Sequence, residues 1–329
     1  MTLKEKVSVF LEENRGKYIS GEEIAAALGV TRSSVWKAVK ALEKDGCDIE
    51  ASPNKGYRLS ENGDILTADT VRKYLGTDTE CTLDIRRTVT STNTLLKEAA
   101  AKGAPEGTVI IAAEQTEGRG RFNRKFVSPV SGLYMSILLR PSIPAEKALM
   151  ITTAAAVAAA RAIESVSGRK ADIKWVNDIY CGGKKVCGIL TEASFGLEGG
   201  GFDYAVCGIG VNVNPPENDF PDELRSIADS VFIRGGRSVP DARAKIAAEI
   251  IKGLLFIYKN DLEKGEYIKE YISRSLVIGK DVILINGSDT SEAHVLGIDT
   301  EARLEVRLSD GTVKKVSSGE ISLRLKDND

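Results

Sequence analysis

Apolar positions recur at helical spacing near the start of the chain and at strand spacing near its end, and the two patterns alternate between. Val35, Val39 and Leu42 fall at i, i+4 and i+7, so one face of that segment looks to a core. Ser20-Gly21-Glu22-Glu23 is a capping box opening a helix through Leu28, Gly29 makes the turn, and Thr31 can cap the next helix. After Gly46, Cys47–Ala51 and Tyr57–Leu59 read as two short strands around Pro53-Asn54-Lys55-Gly56. Residues 1–60 thus predict a helix-turn-helix with a wing. Residues 61–66 read as a linker with Asn62-Gly63-Asp64 as its polar centre.

Residues 67–274 predict a mixed-sheet α/β domain. Its expected strands are Leu83–Val89, Thr108–Glu114, Leu133–Leu139, Asp172–Trp175, Val186–Ala193 and Tyr204–Asn212, the last two joined by a glycine-rich turn at residues 196–201. Its expected helices run from the Thr90-Ser91-Thr92-Asn93 cap towards Lys102, and over about Ala145–Val166. Residues 275–329 change character: short strands at Val282–Ile285, His294–Ile298, Leu304–Leu308, Val313–Val316 and Ile321–Leu325 alternate with turns such as Asn286-Gly287 and Asp310-Gly311. A small β-barrel is the expectation there.

On the predicted second helix of the head, Thr31, Arg32, Ser33, Trp36, Lys37 and Lys40 lie off the apolar stripe, and Lys55 sits in the wing. That is the profile of a helix offered to a DNA major groove; a protein-docking module is the alternative. Residues 1–60 hold ten cations and nine acids, a net of +1, so one copy should bind DNA weakly and two copies in a dimer much better. The whole chain carries a formal charge of -2, which argues against non-specific coating of nucleic acid.

The five cysteines show no CxxC spacing, which fits a reducing cytosol and no zinc site. The opening Met1-Thr2-Leu3-Lys4-Glu5-Lys6 is charged from the start, and the longest apolar stretch, around Ala148–Ala160, falls short of a membrane span. A cytoplasmic protein without a membrane partner is expected. The single histidine, His294, argues against Ser-His-Asp hydrolysis and imidazole acid/base catalysis. Chemistry here must run on Arg, Lys, Asp, Asn and backbone amides.

Gly118 to Phe126 contains four cations (Arg119, Arg121, Arg124, Lys125), no acid, and glycines at 118 and 120. Glycine allows close backbone approach and arginine a fixed anion-binding fork, so the segment suits a small anionic ligand. It is no dinucleotide fingerprint, because Asn123 stands where a third glycine is required, and no Walker-type run occurs. Four other segments end where side chains can converge with it. They are Ser91-Thr92-Asn93, Lys174-Trp175-Val176-Asn177-Asp178, the turn from Gly182 into Lys185-Val186-Cys187-Gly188, and Gly208-Ile209-Gly210-Val211-Asn212.

As an ordered set these segments resemble the bacterial biotin protein ligases that double as biotin operon repressors. The resemblance covers essentially the whole chain, in the same domain order. It is carried by Gly-Arg-Gly-Arg, Lys-Trp-x-Asn-Asp, Gly183–Glu192, Gly-Ile-Gly-x-Asn and Gly319–Arg324, with residues 218–224 similar to the family's adenylate-side loop. It implies a class II aminoacyl-tRNA-synthetase-like ligase domain and an SH3-like C-terminal barrel. It also implies activation of biotin by ATP and Mg²⁺ to biotinyl-5′-AMP, transfer to a lysine of a biotin carboxyl carrier protein, and operator binding by an adenylate-induced homodimer. Attack of a carboxylate on a phosphate brings two anions together. At about 4 Å and an effective dielectric near 20 they repel by roughly 4 kcal/mol, which cations must offset.

By motif position, the resemblance implies that Ser91, Thr92, Asn93, Gln115, Gly118, Arg119, Gly120, Arg121, Lys185 and Gly188 hold biotin. Arg124, Lys125, Phe126, Lys174, Asn177, Asp178 and Asn212 would hold the nucleotide, with Lys185, Arg119 and Asp178 catalytic. Asp178 would either hold Mg²⁺ or orient the acceptor lysine. Val176 replaces the family's usual proline, which loosens the backbone but removes no functional group; Phe126 replaces its commoner tryptophan, which keeps a ring to pack but loses an indole N–H; and Phe122-Asn123 differ from several relatives. A biotin-sensing repressor without catalysis would not need Lys185, Arg119 and Asp178. A lipoate-type ligase would need neither the Gly-Arg-Gly-Arg loop nor a DNA-binding head.

Overall fold

In the computed structural model the described residues are 2–44, 47–61, 63–195, 201–236, 239–286, 288–317 and 322–325. Gly46, Asn62, Gly287, most of the glycine-rich turn (196–200) and the start of the last motif (319–321) therefore lie outside them. Thr2 and Glu5 exchange hydrogen bonds in a capping box that starts α1 (Leu3–Glu13). Ser20 and Glu23 do the same for α2 (Gly21–Leu28), which turns at a left-handed Gly29 into α3 (Arg32–Lys44). The wing is the antiparallel pair β1 (Ile49–Ser52) and β2 (Gly56–Leu59). Gly56 has φ +97°, and a Cβ there would stand 2.1 Å from the Ile19 carbonyl oxygen, so no other residue fits. Val35, Val39 and Leu42 are buried with Val7, Leu11 and Ile24, as the spacing predicts.

After α4 (Ala68–Leu75) the chain builds a seven-stranded mixed sheet. In chain order its elements are β3 (Thr82–Val89), α5 (Thr92–Ala101), β4 (Thr108–Gln115), β5 (Leu133–Leu139), α6 (Leu149–Ser167), β6 (Asp172–Lys174), β7 (Asp178–Cys181), β8 (Lys184–Phe195) and β9 (Phe202–Val211). The helices α7 (Asp222–Arg225), α8 (Ala242–Asn260) and α9 (Tyr267–Ser273) follow. The strand order is β3-β4-β5-β9-β8-β7-β6, with β3 and β4 parallel and every other pair antiparallel.

Strand alternation decides what each face of this sheet does. Ile111, Met135, Ile137 and Ile209 join the main core with α6 and α8, whereas Ile110, Leu138 and Val206 pack with Leu96 and Ala100 of α5. On that α5 face the rows Tyr134–Gly210–Gly188 and Ser136–Gly208–Leu190 lie side by side across β5, β9 and β8. The glycines at 188, 208 and 210 leave room on this face for side chains from other segments beside the start of α5.

Three features depart from the expected pattern. The segment from Lys174 does not simply end a strand, because Asp178–Cys181 forms β7 and pairs with β8 in a hairpin. Helix α8 has no counterpart among the predicted elements. The alanine-rich stretch extends to a helical segment, Ala145–Ser167, long and apolar enough by length to cross a membrane, yet 72% of its apolar window is buried in the core. The C-terminal strands β10 (Asp281–Asn286), β11 (Asp289–Ile298), β12 (Leu304–Leu308), β13 (Val313–Val316) and β14 (Ser322–Leu325) form an antiparallel sheet ordered β13-β12-β11-β10-β14. This is the small all-antiparallel β unit expected for that part of the chain.

Candidate active site

Helix α5 delivers its first turn onto this glycine-lined floor. Ser91 caps it by accepting from Thr94 N–H. Thr92 donates from both its backbone N–H (2.9 Å) and its hydroxyl (3.2 Å) to Gln115 Oε1, while Gln115 Nε2 donates to Ser128 Oγ. Asn93 donates to the Leu190 carbonyl and to Glu192 Oε2, and its Oδ1 accepts from Ser136 at 2.6 Å. A Cβ on Gly208 would lie 2.1 Å from that Oδ1, so the bare strand is what admits Asn93. Four sequence-predicted residues thus stand together: Ser91, Thr92, Asn93 and Gln115. Ser136, Ser128 and Glu192 join them; a serine inside the apolar run Leu133–Leu139 was the only sequence signal for Ser136.

Glu192 also takes a salt bridge from Lys97 at 2.6 Å. Burial pushes its carboxyl up, but hydrogen bonds from Lys97 and Asn93, with Arg119 nearby, outweigh that and hold it below the usual glutamate range.

The Arg-Gly loop doubles back on itself. Phe126 N–H donates to the Gly118 carbonyl, Gly120 N–H to the Arg124 carbonyl, and Arg121–Asn123 form one 3₁₀ turn. Its cations divide. Arg119, Arg124 and Lys125 are exposed, whereas Arg121 reaches inward and donates to Asn177 Oδ1 at 3.3 Å. Burial lowers the pKa of Arg121, against the pull of Asp178 and with a contribution from Arg124.

Phe126 lies on Gly210 and Gly188, edge-on to Tyr134, with Lys185 Nζ 6.0 Å from its ring centre. Lys185 Nζ also stands 2.7 Å from Asp178 Oδ1, an ion pair inside the site. The hairpin of β7 and β8 makes this meeting possible: its register shifts by one residue beside Tyr180, bringing Lys185 opposite.

Two predicted residues stand apart from this cluster. Lys174 lies over the Tyr180 ring, 5.8 Å from its centre. Asn212 is buried at the end of β9, donating to the Asp229 carbonyl at 3.1 Å. The Trp175–Val176 peptide is cis. In the head, Thr31 just before α3 and Arg32, Ser33, Trp36, Lys37 and Lys40 on it are all exposed, with Trp36 52% accessible. Lys55 projects from the wing beside Tyr18. This face of α3, with its tryptophan and cations, therefore lies off the core of the head.

With this geometry in place, three family models match the chain: an HTH domain at residues 4–58, the biotin/lipoate A/B protein ligase family at 85–212, and a biotin protein ligase C-terminal domain at 277–324. Across 98% of its length the chain is 36% identical to the bifunctional ligase/repressor BirA of Bacillus subtilis, covering 99% of that protein. It is 30% identical to the protein of the same name from Escherichia coli over 94% of each. A biotin protein ligase from Aquifex aeolicus, solved in complex with biotin and ATP, superposes with a TM-score of 0.61 at 28% identity, covering 74% of this chain and 99% of that one.

Proposed function

The chain belongs to the bifunctional ligase/repressor branch of the biotin protein ligases, and we propose that the α5 face of its sheet is where the ligase chemistry takes place. The protein is a biotin–[biotin carboxyl-carrier protein] ligase: it activates biotin with ATP to biotinyl-5′-AMP, passes biotin to a lysine of the carrier protein, and represses biotin operon transcription through its helix-turn-helix head. The observation that carries the placement is the meeting of Lys185 and Asp178 beside Phe126, drawn from three separate segments.

In this reading the α5 side takes biotin. Thr92, Asn93, Gln115 and Ser136 offer the short, paired donors and acceptors that an uncharged cyclic urea requires. Arg119, Arg121 and Lys185 then offset the repulsion between the biotin carboxylate and the α-phosphate. No protein nucleophile is needed, which suits a site built without histidine. Phe126 would face the adenine or the adenylate, and Asn177 and Asn212 would contact the nucleotide.

Mg²⁺ suits the Asp178 carboxylate by its chemistry, since this cation takes one or two carboxylates and completes its shell from phosphates and water, and it would share that group with Lys185. Bound there, it would neutralise phosphate charge. Adenylate would order the Arg-Gly loop and favour a dimer that presents two copies of α3 to an operator.

The test is ATP–pyrophosphate exchange with biotin, lipoate or octanoate as the acid. Exchange with biotin alone is expected, and Lys185→Ala should reduce it at least about tenfold with the fold intact. Exchange driven by lipoate but not biotin would overturn the reading. Sedimentation with and without biotinyl-adenylate tests the dimer.

A further inference from the structure

Helix α9 carries two buried tyrosines one turn apart, and their hydroxyls go to different places. Tyr267 donates to the Met150 carbonyl at 2.8 Å, in the scaffold helix α6. Tyr271, fully buried, donates to the Val176 carbonyl at 3.1 Å, inside the turn that carries Asn177 and Asp178. That turn is gripped from several sides. Trp175 Nε1 donates to the carbonyl of Ala302, in the turn between β11 and β12, at 2.9 Å. Ile173 is paired on both its backbone groups with Arg274 and Leu276, just past α9. Asn177 exchanges two 2.9 Å hydrogen bonds with Ile189 of β8.

We propose that Tyr271 is a positioning residue for the adenylation step. Its single proton fixes the Val176 carbonyl and thereby sets where the next two side chains point: Asn177 towards Arg121, and Asp178 towards Lys185. It touches no substrate and acts only through this turn. Without the hydroxyl, a carbonyl shut away from water loses its donor, and the turn relaxes towards whatever else can satisfy it. Displacing reacting groups by an ångström is enough to cost a large factor in rate. The hydroxyl is close enough to Asp178 and Arg121 for both charges to act on it, although burial is the larger influence and raises its pKa well above the usual 10. The phenol therefore stays protonated and keeps its proton for this one bond. The proposal rests on the biotin-activating reading above, which assigns Asn177 and Asp178 to the nucleotide side.

Tyr271→Phe and Tyr267→Phe, made in the full-length protein, test it by the same chemical change one helical turn apart. The readouts are melting temperature and biotin-dependent ATP–pyrophosphate exchange, resolved into kcat and KM for each substrate. Tyr271→Phe should lower kcat about tenfold, with KM for biotin within about twofold, because the biotin-side residues lie on other elements. Tyr267→Phe should lower the melting temperature comparably and leave kcat unchanged. Equal kinetics in Tyr271→Phe and the unsubstituted protein would overturn the positioning role, as would a kcat loss common to both variants. If the unsubstituted protein shows no exchange, the biotin reading itself fails and this role with it. Should Tyr271→Phe not fold, Trp175→Phe releases the same turn from its other anchor, with the same expected split and the same overturning result.

Discussion

The ligase domain is joined to its two neighbours by opposite kinds of chemistry. On the C-terminal side the joint is apolar and continuous. Val282, Leu284, Val295, Leu304 and Val306 belong to the same buried cluster as the strands and helices of the ligase. On the N-terminal side the head keeps its own separate core, and the joint is a web of charges. Asp241, 1% exposed, accepts from Arg15 at 2.7 Å, from Ile65 N–H at 3.3 Å and from the Tyr74 hydroxyl at 3.0 Å. Arg15 also bonds Glu12 and the Gly63 carbonyl, and Asp64 is held by Arg243 and by Asn214, two residues past Asn212. A hollow of about 410 Å³ lies beside this web, among Ser8, Glu12, Asp69 and Lys73. The difference teaches which partner is built to stay. A shared apolar core cannot be parted without exposing it to water, whereas directed charge contacts can exchange for hydration and for other partners. A regulator whose head must be presented to DNA is better served by the second kind.

The largest expected effect breaks the apolar side. Leu304→Ala empties a fully buried position and should cost about 3 kcal/mol. Thermal unfolding should show ligase and C-terminal sheet melting together at a lower temperature, by the same amount at low and high salt. A separate early transition for the C-terminal sheet would mean the shared cluster does not couple them.

Next is the polar side. Asp241→Asn keeps the left-handed backbone at φ 54°, which asparagine tolerates, but leaves Arg15 facing no charge there. The cost should be about 2 kcal/mol, less than for a fully buried pair because Arg15 keeps 15% of its side chain exposed. Hydrogen exchange at the Ile65 and Asp241 amides should quicken, while pyrophosphate exchange stays near its original rate. High salt should mimic part of this in the unsubstituted protein. If those amides exchange no faster in the variant, the web does not hold the head.

The two joints also mark how far the sequence could be read. The winged head was legible because Val35, Val39 and Leu42 give a clean one-sided helix and the Ser20–Glu23 box marks where its predecessor begins. The site segments were legible as ends of strands and turns rich in glycine and charge. Their pairing was not, since Lys185 meets Asp178 only through a hairpin register that slips by one residue. Helix α8 escaped notice because it is buried on most sides, so its apolar positions form no stripe against a polar background. Arg15 and Asp241 stand 226 positions apart, and no local pattern links residues at that separation. The anchoring of Asp64 in the linker was hidden for the same reason: its partners Arg243 and Asn214 lie far along the chain.

The smallest effect sharpens the contrast by separating charge at the end of the ligase domain from the apolar cluster it shares with the C-terminal sheet. Arg274, next to the strand connection at Ile173, pairs with Glu164 at 2.8 Å and with Glu270 at 2.8 Å. The hydrogen bond from Arg274 holds the Glu164 carboxyl below its ordinary value of 4.5. For Glu270, burial pushes upward, but Arg161 and Arg274 outweigh it and the net shift is again downward. A carboxyl with a depressed folded-state pKa adds stability that is fully present above the unfolded value and is lost as pH falls through the folded one. Urea unfolding should therefore be flat from pH 7 to about 5 and lose about 1 kcal/mol as pH drops below 4.5, a modest figure because both side chains remain partly in water. Arg274→Gln should be less stable at neutral pH and should flatten that acid slope, while leaving the salt-insensitive loss from Leu304→Ala unchanged. An acid slope as steep in Arg274→Gln as in the unsubstituted protein would place the titrating carboxylates elsewhere.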